Sequence, residues 1–147
     1  MNNQIPDHQI KAIDDNLQAF QQQKNMGTRG EQIARILIKN LFNPEIIMQI
    51  DWMFNYKGKW IACEVKHKEL FKPPPFEGAG LSIQQVKARL KFYNDTGIRC
   101  LFIVIDSDSN GTFINWLDVL EAGDHFDTRN GIRVYNIKNF KQIKGGL

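Results

Sequence analysis

The stretch Asp51-Trp52-Met53-Phe54-Asn55-Tyr56-Lys57-Gly58-Lys59-Trp60-Ile61-Ala62-Cys63-Glu64-Val65-Lys66 decides the reading of this chain. Residues 46–54 are strand-like, residues 55–59 turn around Gly58, and residues 60–66 are strand-like again. A two-residue turn at Lys57-Gly58 pairs Tyr56 with Lys59 and sets Asp51 directly opposite Glu64. Strand side chains alternate with period two, so Lys66 shares the face of Glu64. Lys57 is a poor residue for positive φ, so a longer loop is the alternative.

Two carboxylates facing each other across a hairpin repel, and a divalent cation reverses the sign of that interaction. Mg²⁺ takes oxygen ligands in octahedral geometry and keeps several waters. Asp51 and Glu64 suit it, and a backbone carbonyl such as that of Val65 can supply a third ligand. Lys66 is placed to orient or activate a water, or to stabilise developing negative charge. A solvated sheet face carrying an Asp/Glu/Lys cluster is the plainer reading of the same residues.

Upstream, residues 7–24 carry Ile10, Ile13, Leu17 and Phe20 at helical spacing, and residues 1–25 read as a peripheral N-terminal helix. A second helix runs from Thr28 or Arg29 to Leu41 and ends at Asn43-Pro44. Glu31 stands on the edge of its apolar stripe, where a carboxylate wants a partner. Thr28-x-x-Glu31 also matches a helix capping box, and the two roles are compatible.

Downstream, residues 67–80 read as a long loop with Pro73-Pro74-Pro75, Gly78 and Gly80. Within it, Phe71 and Phe76 are candidates either to stack on unpaired bases or to anchor the loop to the core or a second subunit. A third helix starts near Ser82, where Ser82-x-x-Gln85 is a second capping box, and ends before Gly97. Residues 98–105 look like a strand buried on both faces. Strands at 112–117 and 131–137 and a short helix at 118–123 follow, and residues 138–147 read as a flexible basic tail. The order α-α-β-β-α-β-β predicts one α/β domain over residues 1–147, with a mixed central sheet flanked by helices.

Composition agrees with a globular domain. The chain has 147 residues, 42% hydrophobic and 24% charged. No apolar run approaches the roughly 18–20 residues that span a bilayer, and the N-terminus lacks a signal-peptide pattern, so no membrane partner is expected. Cys63 and Cys100 lie in apolar segments and read as reduced core residues of a cytoplasmic protein. A net charge of +3 permits nucleic-acid binding without arguing for it. The distribution says more. Lys66, Lys68 and Lys72 lead into the proline loop, Lys87 and Arg89 lie on the next helix, and Arg29 flanks Glu31. Each alone also reads as a solvated face. Together they bracket the carboxylates, where a phosphate would sit.

Glu31, then Ile50-Asp51, then Cys63-Glu64-Val65-Lys66, then Gln85, resembles the PD-(D/E)XK nuclease superfamily over residues 27–116. Within it, Arg29-Gly30-Glu31, Tyr56-Lys57-Gly58-Lys59, Ser82-x-x-Gln85 and residues 97–102 are most similar to Holliday-junction resolvases of the RecU and Hjc kinds. The chain departs from the pattern at Ile50, where many members have Pro, and at Gln84-Gln85, where RecU-like proteins tend to have His-Gln. The resemblance implies a restriction-endonuclease-like domain and Mg²⁺-dependent DNA cleavage, with Mn²⁺ able to substitute. It implies catalytic roles for Glu31, Asp51, Glu64, Lys66 and Gln85, the last positioning water near the metal. It further implies a homodimer acting on four-way junctions in a bacterial or phage-infected cell. The alternatives are a restriction- or repair-type nuclease acting on duplex or flapped DNA, or a non-catalytic DNA-binding module that keeps the fold.

Overall fold

A computed structural model describes residues 5–11 and 26–143. Residues 7–11 are helical, and the rest of the expected N-terminal helix lies outside the described residues. The chain divides into two compact units, Met1–Ile47 and Met48–Leu147. The described part of the first unit is chiefly α1 (Met26–Phe42). Because this helix begins at Met26, Thr28 lies inside it and not at its cap, and the first capping-box reading falls.

The second unit is α/β and is built on a mixed sheet of order β1-β2-β4-β5-β8. Its strands are β1 (Trp52–Tyr56), β2 (Lys59–Lys68), β4 (Arg99–Asp106), β5 (Thr112–Trp116) and β8 (Lys141–Ile143). β1 runs antiparallel to β2, β2 parallel to β4, and β4 antiparallel to β5. The β2-to-β4 connection carries β3 (Gly78–Ser82) and then α2 (Ile83–Thr96). α2 begins at the Ser82 cap, whose Oγ accepts from the Gln85 N–H at 3.1 Å, and stops at Gly97, with φ 76. The short helix α3 (Leu117–Ala122) follows β5.

The face of β2 and β4 that carries Ala62, Glu64, Cys100, Phe102 and Val104 is buried. Val86 of α2, Leu117 and Leu120 of α3, and Leu81 and Tyr135 complete the same core. The other face of β4, Leu101, Ile103 and Ile105, is only half-buried, where burial on both faces was expected. Cys63 and Cys100 are free and buried, as the reading of the sequence held.

Four expectations need correction. Residues 46–50 are not strand: β1 starts only at Trp52. The 67–80 loop is shorter than expected, because β2 continues to Lys68 and Gly78–Ser82 is β3. β3 pairs with β7 (Ile132–Asn136), which pairs with β6 (His125–Asp127), giving a second, antiparallel sheet. Gly78 and Gly80 read as turn signals, yet they serve close approach. A Cβ at either would collide with a backbone carbonyl of β7, that of Tyr135 or Arg133. Residues 138–143 are not a frayed tail, for Lys138 lies in a 3-10 turn and Lys141 in β8 on the sheet edge. Phe76 stacks edge-on against Phe126 with centroids 5.3 Å apart, which ties the loop to β6 of the second sheet.

Candidate active site

The hairpin register is the one the two-residue turn requires. Tyr56 pairs with Lys59 and Trp52 with Cys63. Lys57 and Gly58 both take positive φ, at 50° and 80°, the signature of a type I′ turn. Two contacts offset the cost of the left-handed conformation at Lys57. Asn55 Oδ1 accepts from the Gly58 N–H at 3.1 Å, and Lys57 Nζ sits 5.2 Å from the Tyr56 ring centroid.

The ladder ends at Trp52–Cys63, and its register continued by one residue brings Asp51 level with Glu64. β1 has not yet begun at Asp51, so the edge of β2 is open there, and the Asp51 side chain takes the place of a strand. Its Oδ2 accepts from the Val65 N–H at 2.9 Å. In a strand the N–H and C=O of one residue leave by the same edge, so the Val65 carbonyl lies on the edge that Asp51 occupies. Asp51 itself is exposed.

Glu64 is 2% exposed and Arg89 1%. Arg89 reaches across from α2 and gives Glu64 Oε2 two bonds, from Nε at 3.1 Å and from Nη2 at 2.8 Å. Its Nη2 also donates to the Gln49 carbonyl, while Nη1 is buried without a hydrogen-bond partner among the described residues. Burial pushes the Glu64 pKa up. Arg89 draws it down by hydrogen bond and charge, Asp51 raises it and Lys66 lowers it, and the balance stays above the usual carboxylate range. Asp51 and Lys66 thus both lie within electrostatic reach of Glu64. Cys63, on the opposite face of β2, feels the same two carboxylates, and its thiol is pushed up to about 11, first by burial.

Among the described residues, no three His, Cys, Asp or Glu side chains gather as a metal cage. The residues fit Mg²⁺ only in the economical form expected from the sequence. Asp51 and the Val65 carbonyl at the strand edge and Glu64 on the adjoining face are the hard oxygen donors that could hold it, with water completing the shell. Both Arg89 bonds fall on Glu64 Oε2, so Oε1 is the oxygen that Arg89 leaves for another partner.

The remaining candidates separate. Lys66 is half-buried on the Glu64 face, and Lys68 is exposed two residues on. Gln85 is half-buried at the start of α2. Its Oε1 accepts from Ser82 Oγ at 3.2 Å, so its side chain is engaged in the cap. Lys72 is exposed and pairs with Glu77 at 3.5 Å, and Lys87 is exposed on α2. Arg89 overturns its expected role as a phosphate contact: a guanidinium this buried cannot meet DNA, and its charge is committed to Glu64. A signal for this was in the sequence. Arg89 lies three residues after Val86, inside the apolar stripe of its helix, and a cation there demands a buried carboxylate. Glu31, exposed, and Arg29, half-buried, lie on α1 in the other unit.

Comparison with protein-family models and with curated proteins finds no match to this chain.

Proposed function

We propose that the chain is a metal-dependent DNA endonuclease of the restriction-endonuclease-like type, with Asp51, Glu64 and Lys66 at its centre. The observation that carries this reading lies at the open end of the hairpin: Asp51 accepts from the Val65 N–H, between Glu64 and Lys66, which share one face of β2. A bound Mg²⁺, or Mn²⁺ in its place, supplies Lewis-acid chemistry at a scissile phosphate. Asp51, Glu64 and the Val65 carbonyl hold it. Asp51 is kept in place by the Val65 N–H, and Glu64 by Arg89. The Lys66 ammonium stabilises the charge that grows on the phosphate as water attacks. Exposed Lys68 and Lys87 supply cations for the flanking backbone, and Gln85 and Glu31 are supporting residues by resemblance alone.

Within that class, the reading extends to a homodimer that cuts four-way junctions, since two symmetric incisions need two sites related by a dyad. β1 ends the sheet, and Trp52 and Phe54 on it are 68% and 40% exposed. An apolar edge strand that no other described strand pairs is a natural dimer seam.

The test is cleavage of end-labelled four-way junction, flap and linear duplex, with Mg²⁺ or with chelator, by wild type and Asp51→Asn. Light scattering gives the mass of each protein. Cleavage by wild type only, only with metal, and fastest on the junction by a dimer is the expected result. Undiminished cleavage by Asp51→Asn would remove the site. Equal rates on all three substrates from a monomer would leave a nuclease and remove the resolvase.

A further inference from the structure

At the end of the sheet, where β1 turns into β2 and α2 returns into β4, lies an open cleft of about 680 Å³. Tyr56, Trp60, Tyr93 and Trp116 line it with four aromatic rings, Lys59 and Arg99 add two cations, and no carboxylate is among its lining residues. Tyr56 and Trp60 are 58% and 55% exposed, far more than their apolar area warrants for rings that only fill a core. Arg99 is fixed in place. Its guanidinium lies 4.5 Å from the Trp116 ring centroid, and Asp118 holds it from outside the cleft through two bonds of 2.7 and 2.8 Å. The volume lies in the range of small-ligand sites and takes a base with its sugar.

We infer that this cleft binds unpaired nucleotides of single-stranded DNA. Every base has a π-face, so aromatic rings hold single strands without reading sequence, and cations beside them meet the phosphates. Lys59 is the cation available for that contact, because the charge of Arg99 is largely met by Asp118. A groove for a basic partner would be lined by carboxylates, and none is among the described residues that line this one. The inference rests on the nuclease reading and narrows its substrate to DNA that carries an unpaired segment beside the cut. Between Trp60 and Glu64 that face of β2 is buried at Ala62, but β1 is exposed throughout, and Asn55, the partner of Trp60, stands four residues from Asp51, about 13 Å of extended chain. That is roughly four base-pair rises, so one DNA strand laid along β1 can reach both the cleft and Asp51.

The experiment titrates an eight-residue oligothymidylate into full-length Asp51→Asn protein, in chelator and at low salt, and follows tryptophan fluorescence. Saturable quenching is expected. Adding Trp60→Ala should weaken binding roughly 5- to 100-fold, the range for loss of one stacked base, and Trp60→Phe should restore most of it. Trp60 is exposed, so neither substitution threatens the fold. Binding unchanged by Trp60→Ala overturns the inference. So does a Trp60→Ala protein whose mass in solution changes while its oligonucleotide affinity does not, because the cleft would then be a contact between chains. Quenching without metal-dependent cleavage of any DNA by the wild type keeps the cleft and removes the nuclease reading. Cleavage with oligonucleotide affinity indifferent to Trp60 does the reverse.

Discussion

Arg89 places two hydrogen bonds, from Nε at 3.1 Å and Nη2 at 2.8 Å, on the single oxygen Oε2 of Glu64, with both side chains almost wholly out of water. The pair is a clamp between α2 and β2. It fixes the carboxylate through Oε2, and neither Arg89 hydrogen bond falls on Oε1. A buried ion pair adds little stability over an apolar pair, yet breaking it from one side strands a charge.

That asymmetry gives the first prediction. Arg89→Met with Glu64 retained should cost about 3–5 kcal/mol of stability, whereas the double variant Glu64→Leu/Arg89→Met should recover most of the loss. Urea denaturation of the single and double variants measures both. A single variant within about 1 kcal/mol of wild type would show that Glu64 does not depend on Arg89 for its charge.

A pH effect follows from the same contact. Burial is the largest influence on Glu64 and raises its pKa, so the folded chain holds that proton to a higher pH than the unfolded chain does. Ionised Glu64 therefore costs folding free energy at neutral pH, and the cost disappears as pH falls through the folded value. Metal binding needs the ionised form. Cleavage should fall on acidification, with its inflection above the free glutamate value of about 4.3. Arg89→Lys weakens the influence that lowers the pKa, and the inflection should move to higher pH. Profiles of kcat/KM against pH for the two proteins decide it, and coincident inflections would disconnect Arg89 from Glu64 ionisation.

Lys66→Ala should slow single-turnover cleavage by about 10²–10³ with little change in stability, the usual size of one transition-state contact. Lys66→Arg should recover only part of the rate, because a planar fork cannot place charge where a compact ammonium does. A wild-type rate in Lys66→Ala would return Lys66 to the solvated face of the sheet.

Gly80→Ala tests the second sheet. A Cβ there would run into the Arg133 carbonyl oxygen and approach Ile132 Cγ2 at 2.8 Å. Overpacking of this kind costs about 1–3 kcal/mol. Thermal unfolding should report the loss, and Gly97→Ala offers a contrast. Its Cβ meets nothing within 4 Å, so any loss there comes from the φ of 76° alone. An unchanged melting temperature in Gly80→Ala would mean that β3 and β7 stand further apart than described.

The hairpin, its register and the shared face of Glu64 and Lys66 were legible in the sequence because each depends on neighbours along the chain: a turn at Lys57-Gly58 sets the register and the pleat sets the face. Asp51, expected on that face, lies beyond the end of β1 with its side chain on the Val65 N–H. The bounds of α2 were legible for the same reason, since Ser82 and Gly97 act on the backbone next to them. Only the tertiary structure decided that Glu64 is buried, that Arg89 serves it from 25 positions away, and that Gly78–Ser82 is a strand paired with Ile132–Asn136. Such partners meet by closing long loops, and no local propensity encodes which distant segment will be there. A glycine that admits a neighbouring strand looks, in sequence, the same as one that ends a turn.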